Sequence, residues 1–206
     1  PDTSGWQVRV VPNKFPALDS AGDINRIGRG MYDVMDGVGS HEVVIETPTE
    51  GTQLPDMDEE QVEEVIWAYR DRSIQLRKDP RIRYNMIFKN YGTEAGASIW
   101  HSHSQIIALP FVPLNVQEKI NGAKKYYEHK ERCVYTDMVH QELNDEVRMV
   151  MENDTFIAFC PFASIFPFEI MILPKAQENF FADITKNAVV DLAQMVKGCL
   201  NKLRLA

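Results

Sequence analysis

The chain has 206 residues, room for one domain or two small ones, and its 44% hydrophobic and 25% charged content is that of a globular protein. Thirty acidic against 22 basic side chains leave a formal charge of −8, which argues against a broad nucleic-acid-binding face while allowing a small anion held by local amides and cations. No apolar run is long enough to span a bilayer, and Cys133, Cys160 and Cys199 are too far apart for a metal-binding pair, so neither nucleic acid nor membrane is expected as a partner and a reducing cytoplasm is.

In chain order, Trp6–Val11 reads as a short strand ended by Pro12-Asn13, and the Gly- and Asp-rich stretch 22–39 as a loop or an irregular excursion. His41–Thr47 reads as a strand closed by Pro48. Asp58 and Gln61 resemble a capping box that opens a helix with Val62, Val65, Ile66 and Tyr69 on its buried face. The acidic run Asp56–Glu64 then covers that helix's first turn and solvated face. Tyr84–Lys89 is a further strand, Asn90–Ser98 a glycine-containing turn, and Trp100–Leu109 a strand that Pro110 and Pro113 bring to an end. From Leu114 to Glu146 the chain is polar and partly helical, with His129 and His140 as surface residues.

The last sixty residues repeat the first eighty. Phe156–Pro161 parallels Val8–Pro12, and the Phe168–Pro174 strand parallels His41–Pro48, which places Glu169 on Glu42. A helix follows each, the second with an apolar stripe of Val189, Leu192, Ala193, Val196, Leu200 and Leu203. The expected organisation is a first half over 1–146 and the start of a second, truncated half over 147–206, in a longer parent protein.

The chemistry concentrates between Gly96 and Pro110. Along a strand, side chains alternate faces, so His101, His103 and Gln105 share one face and Ser102 and Ser104 the other. Two imidazoles and an amide beside a Gly-Ala-Ser turn suit attack on a phosphate, with His103 as nucleophile and Ser98 and the turn's amides as phosphate ligands. Lys14 and Lys89 flank this region in sequence, and either could neutralise phosphate or equally be an ordinary surface lysine. Arg26–Gly30 reads more simply as a turn than as a phosphate nest, and Cys160 as a core residue.

The segments Val10–Leu18, His41–Pro48, Asn90–Gln105 and Pro167–Lys175 resemble galactose-1-phosphate uridylyltransferases, of the histidine-triad branch whose motif is His-x-His-x-Gln. The resemblance implies an α+β, histidine-triad-like fold, internally duplicated, with helices packed on one face of an antiparallel sheet. It implies a ping-pong transfer of UMP from UDP-glucose to a hexose 1-phosphate such as galactose 1-phosphate. His103 would carry the covalent nucleotide and Gln105 would bond the phosphoryl group. Asn13, Phe15 and Asn90 would hold the nucleotide, with Gly96, Ala97 and Ser98 at the diphosphate. It further implies a homodimer and a structural zinc at His101, with Glu50 a poor substitute for a histidine and other ligands outside this chain. Ser102 stands where that family has proline, and the Ser-His-Ser-Gln form also resembles plant-type ADP-glucose phosphorylases, whose acceptor is inorganic phosphate. A nucleotide-binding module without turnover is the third reading.

Overall fold

The computed structural model describes residues 5–97 and 99–206, which divide into two compact units: 5–53 with 64–113, and 54–63 with 114–206. The division falls at Pro113 instead of the expected position after Glu146. In the first unit, β1 (Arg9–Pro12), β4 (Ser40–Ile45), β5 (Tyr84–Phe88) and β6 (His103–Leu109) form an antiparallel sheet in the order β1-β4-β6-β5. The histidine strand is therefore internal, paired on both sides. Stretch 22–39 is not wholly loop, because β2 (Ile27–Arg29) and β3 (Tyr32–Val34) form a small hairpin, with Gly30 at φ 65° in its turn.

Helix α1 (Glu59–Leu76) starts where the acidic run predicts. The Asp58 carboxylate accepts the Gln61 amide at 2.8 Å, filling one of the orphan donors of the first turn. Val62, Val65 and Ile66 are buried as the period requires. Within the first unit, Tyr69, Arg72 and the Ser73 carbonyl of α1 contact Ser104, Glu42 and Asn85 of the sheet, so the helix covers one face and leaves the other to the site.

In the second unit, α2 (Leu114–Lys130) and α3 (Val134–Asp145) precede a sheet of β7 (Met149–Glu152), β8 (Phe156–Phe159) and β9 (Met171–Pro174), and α4 (Lys186–Leu205) follows it. α3 belongs here because Val139 packs against Ile157 and Phe159. β7 lies outside the elements read from sequence, and it widens the surface that α4 must cover. Met195 and Cys199 are consequently buried with Phe156 and Ala158, while Leu203, expected in the stripe, is exposed.

The duplication holds at the level of register. When Pro12 is laid on Pro161 and Glu42 on Glu169, the pairs Val10–Val44 and Arg9–Ile45 become Phe159–Met171 and Ala158–Ile172, which are the pairs formed. A repeat that keeps strand, partner and register is hard to obtain without duplication of the whole unit.

Candidate active site

Strand β6 divides its side chains between two environments, as alternation dictates. Ser102 and Ser104 point to the α1 side, where the Glu46 carboxylate is fully buried. Glu46 accepts from Lys89 Nζ at 2.7 Å and from Ser102 Oγ at 2.6 Å. The Tyr69 hydroxyl lies 3.2 Å from Glu46 and 2.7 Å from Ser104 Oγ. Burial, and then the charge on Glu46, push the Tyr69 phenol well above its ordinary pKa. Lys89 Nζ also donates to the His103 carbonyl at 2.9 Å, so its ammonium is engaged by Glu46, Ser102 and this carbonyl while the side chain still lines the cleft beside His101 and His103. Lys14 stacks over the ring of its own neighbour, Phe15, at 5.5 Å.

On the opposite face stand His103 and Gln105. The His103 side chain is almost buried, and its Nδ1 sits 2.8 Å from the His101 carbonyl oxygen. A carbonyl can only accept, so Nδ1 carries the proton and Nε2 keeps its lone pair. That is the tautomer a nucleophilic imidazole needs. Residues 100–102, expected to be strand, lie outside β6, and this break lets a carbonyl two residues earlier reach back to the ring.

Gln105 brings in a residue not anticipated from sequence. Its Oε1 is 2.8 Å from Nε2 of His41, the second residue of β4. His41 pairs with Ile107 and Val43 with Gln105, so His41 and Gln105 are diagonal neighbours on one face. The available signal was the alternation of β4 itself, but only the pairing of β4 with β6, 64 residues on, aims that face at the motif. Asn13 joins the same group, with its Nδ2 3.1 Å from His41 Nε2 and its Oδ1 accepting the Phe15 amide at 2.9 Å. Phe15 itself is exposed.

A cleft of about 340 Å³ is lined by Asn90, Ala97, His101 and His103, among others. The turn beside it is less available to phosphate than its sequence suggests. The Gly96 amide is bonded to the Thr93 carbonyl at 2.9 Å, and the Ala97 amide to the Gly92 carbonyl at 3.1 Å. Ser98, the expected phosphate ligand, lies outside the described residues. Gly96 has φ 81°, a left-handed conformation that its lack of Cβ permits.

The zinc implied by the resemblance does not fit the described residues on their own. His101 Nε2 is engaged with the Thr47 carbonyl at 2.6 Å, Glu50 is exposed, and no group of three or more His, Cys, Asp and Glu side chains is assembled among the described residues.

Comparison with known proteins matches this arrangement. The family models for galactose-1-phosphate uridyl transferase match residues 5–113 (N-terminal domain) and 85–204 (C-terminal domain). The chain is 34% identical over 200 residues to an ADP-glucose phosphorylase of Arabidopsis thaliana, covering 96% of this chain and 56% of that protein. It is 33% identical over 193 residues to a galactose-1-phosphate uridylyltransferase of Thermotoga maritima, covering 93% and 60%. Among solved structures, a uridylyltransferase superposes with a TM-score of 0.88 at 31% identity, over 94% of this chain and 62% of that one. The Arabidopsis thaliana ADP-glucose phosphorylase with bound ADP-glucose gives 0.86 at 33% identity, over 98% and 61%. The chain thus spans between half and two thirds of the length of these relatives. With both domain models matched in order and the His-x-His-x-Gln face built as described, the chain belongs to the galactose-1-phosphate uridylyltransferase family.

Proposed function

We propose that this chain carries the nucleophile of a nucleotidyltransferase that moves UMP from UDP-glucose to a hexose 1-phosphate such as galactose 1-phosphate. The observation that carries the reading is the bond from His103 Nδ1–H to the His101 carbonyl, which leaves Nε2 as the nucleophilic nitrogen. In the first half-reaction the Nε2 lone pair attacks the α-phosphorus, and the bond from that phosphorus to the oxygen bridging to the β-phosphate breaks. Glucose 1-phosphate leaves with the electron pair. In the second, a phosphate oxygen of the acceptor attacks the same phosphorus, the N–P bond breaks, and the imidazole returns to its starting tautomer. Gln105 donates an amide N–H to the phosphoryl oxygen as charge develops there, and it offers no base that could activate water. Asn13, Phe15 and Asn90 serve the nucleotide. Zinc, if held at His101, needs ligands beyond the described residues, and no step passes through it.

A second reading has its own support. The Arabidopsis thaliana relative is an ADP-glucose phosphorylase, and Ser102 in the motif suits that branch, so ADP-glucose as donor and inorganic phosphate as acceptor form the alternative. We also infer a homodimer in a reducing cytoplasm, which the three unpaired cysteines suit, and light scattering of the purified chain checks the former. Intact-protein mass after incubation with UDP-glucose, and separately with ADP-glucose, decides the chemistry. A UMP adduct that His103→Ala abolishes supports the first reading, and an AMP adduct moves the assignment to the second. No adduct with either leaves a module that binds without turnover.

A further inference from the structure

We propose that His41 is a positioning residue of the transfer site: it holds the Gln105 side-chain amide in the one orientation that presents N–H to the phosphoryl group. This rests on the reading of His103 and Gln105 given above.

The argument starts from a donor whose identity is fixed. The backbone N–H of Ala17 points at His41 Nδ1 from 3.1 Å. A peptide N–H cannot accept, so Nδ1 must hold a lone pair, and a neutral His41 then carries its proton on Nε2. Two groups lie within reach of that proton. Asn13 presents Nδ2 at 3.1 Å, and its own oxygen is occupied by the Phe15 amide, so Asn13 cannot take it. Gln105 Oε1 at 2.8 Å can. The chain Ala17 N–H to His41 Nδ1, His41 Nε2–H to Gln105 Oε1, therefore runs in one direction and leaves the Gln105 NH2 for the site, with the Asn13 NH2 beside Nε2 in contact but not its hydrogen-bond partner.

Orientation matters because a glutamine amide is two-sided. With NH2 outward it stabilises negative phosphoryl oxygens, and with the carbonyl outward it repels them. Without the proton from His41 the Oε1 end loses its partner and the amide has no reason to prefer one face. His41 can supply that preference because β4 is pinned at this point: the Asn13 amide donates to the His41 carbonyl at 2.8 Å, and Ser40 pairs with Ala108. The two histidines thus have opposite tautomers for opposite purposes. His103 keeps Nε2 bare to attack phosphorus, and His41 keeps Nε2 protonated to orient the amide.

The test uses the full chain, with UDP-glucose and ADP-glucose each as donor, and follows the rate of adduct formation on His103 by rapid quench. His41→Phe keeps the ring's bulk and removes the proton. It is expected to slow adduct formation by at least about tenfold while staying short of the loss in Gln105→Ala, which removes a transition-state donor of the kind worth about 10²–10³ in rate. In the Gln105→Ala background, His41→Phe should then change the rate by less than about twofold, because the two act as one unit. Additive losses would overturn the proposal, and so would an unaffected rate in His41→Phe. A thermal melt of each variant separates local from global damage. Nitrogen-15 NMR of the histidine rings gives an independent readout at neutral pH. His41 should show a protonated Nε2 and a bare Nδ1, and its Nε2–H resonance should move in Gln105→Ala; the opposite tautomer sinks the idea. If the unaltered chain forms no adduct with either donor, the proposed function fails, and the NMR result still decides the His41–Gln105 contact by itself.

Discussion

Replacing Lys89 by Met isolates what the buried network behind β6 contributes. Glu46 is wholly excluded from solvent, while Lys89, which pairs with it at 2.7 Å, keeps 21% of its side chain exposed. Removing one partner of a buried ion pair leaves an uncompensated charge and costs about 3–5 kcal/mol; the accessible lysine end argues for about 3. At about 2.1 cal/mol/K per residue, unfolding of a 206-residue chain carries an entropy of about 0.43 kcal/mol/K, so the melting temperature should fall by about 7 °C. If the 5–53/64–113 unit melts alone, the fall doubles to about 14 °C. Scanning calorimetry of the variant reads this directly. Lys89→Met combined with Glu46→Gln removes the stranded charge and should recover more than half of the loss, since the burial of charge, not the shape of the side chain, is what costs. A single variant melting within about 2 °C of the unaltered chain would refute the reasoning, as would a double variant no better than the single.

The phenol of Tyr69, beside Glu46, has a folded pKa raised above its unfolded value, so its contribution to stability is complete below about pH 10 and is lost as pH rises through the folded pKa. Melting temperature should therefore drop more steeply above about pH 10 in the unaltered chain than in Tyr69→Phe, even though the variant starts about 1–2 kcal/mol less stable at neutral pH for want of the hydroxyl; parallel curves would contradict this. Gly39→Ala places a Cβ 2.2 Å from the Ala108 carbonyl oxygen and 2.7 Å from Leu18 Cδ1, at a φ of 157°, immediately before the Ser40–Ala108 pair. It should cost about 3 kcal/mol or more by forcing β4 off β6, seen as a lower urea midpoint, and a wild-type midpoint would show that the end of this internal strand pair can yield.

How much of this was readable from sequence depends on the range over which each feature is decided. The alternation of His103, Ser104 and Gln105 is decided by neighbouring peptide units, so the face assignment needed no knowledge of partners, and Ser102 and Ser104 do meet the helix side. The Asp58 cap and the register-preserving repeat of Pro12 with Pro161 are likewise local or self-comparing. Lys89 was read as flanking the pocket, and it does line the cleft, but its partners were hidden for the complementary reason. As the residue after β5 it continues the alternation onto the helix face, but its value to Glu46, 43 residues earlier, exists only once β4, β5 and β6 are side by side. The amides of Gly96 and Ala97 went astray by a different route: a Gly-containing turn suggests free donors, yet the turn closes by using those donors on its own carbonyls. β7 carried too short an apolar run to separate from its surroundings, and without it the buried face of α4 was drawn too narrow.

The same distinction bears on the chemistry. The motif places His103 and Gln105 on one face, beside His41 of β4, but on the proposed function which nitrogen attacks and which way the amide points are set by single acceptors and donors. For His103 that group is the carbonyl of His101, two residues earlier, and for His41 it is the amide of Ala17, 24 residues earlier. Neither group has a side chain to leave a mark in the sequence. An imidazole with one nitrogen bound by a carbonyl and an imidazole with the same nitrogen bound by an N–H are identical as letters and opposite as reagents. A motif of this kind therefore reports that phosphoryl chemistry is sterically arranged, while the competence of its nucleophile is a property of the backbone around it. Variants that disturb the 99–102 break or the Ala17 loop, with every motif residue intact, should accordingly slow transfer to His103, and a normal rate in such variants would return the tautomers to the side chains alone.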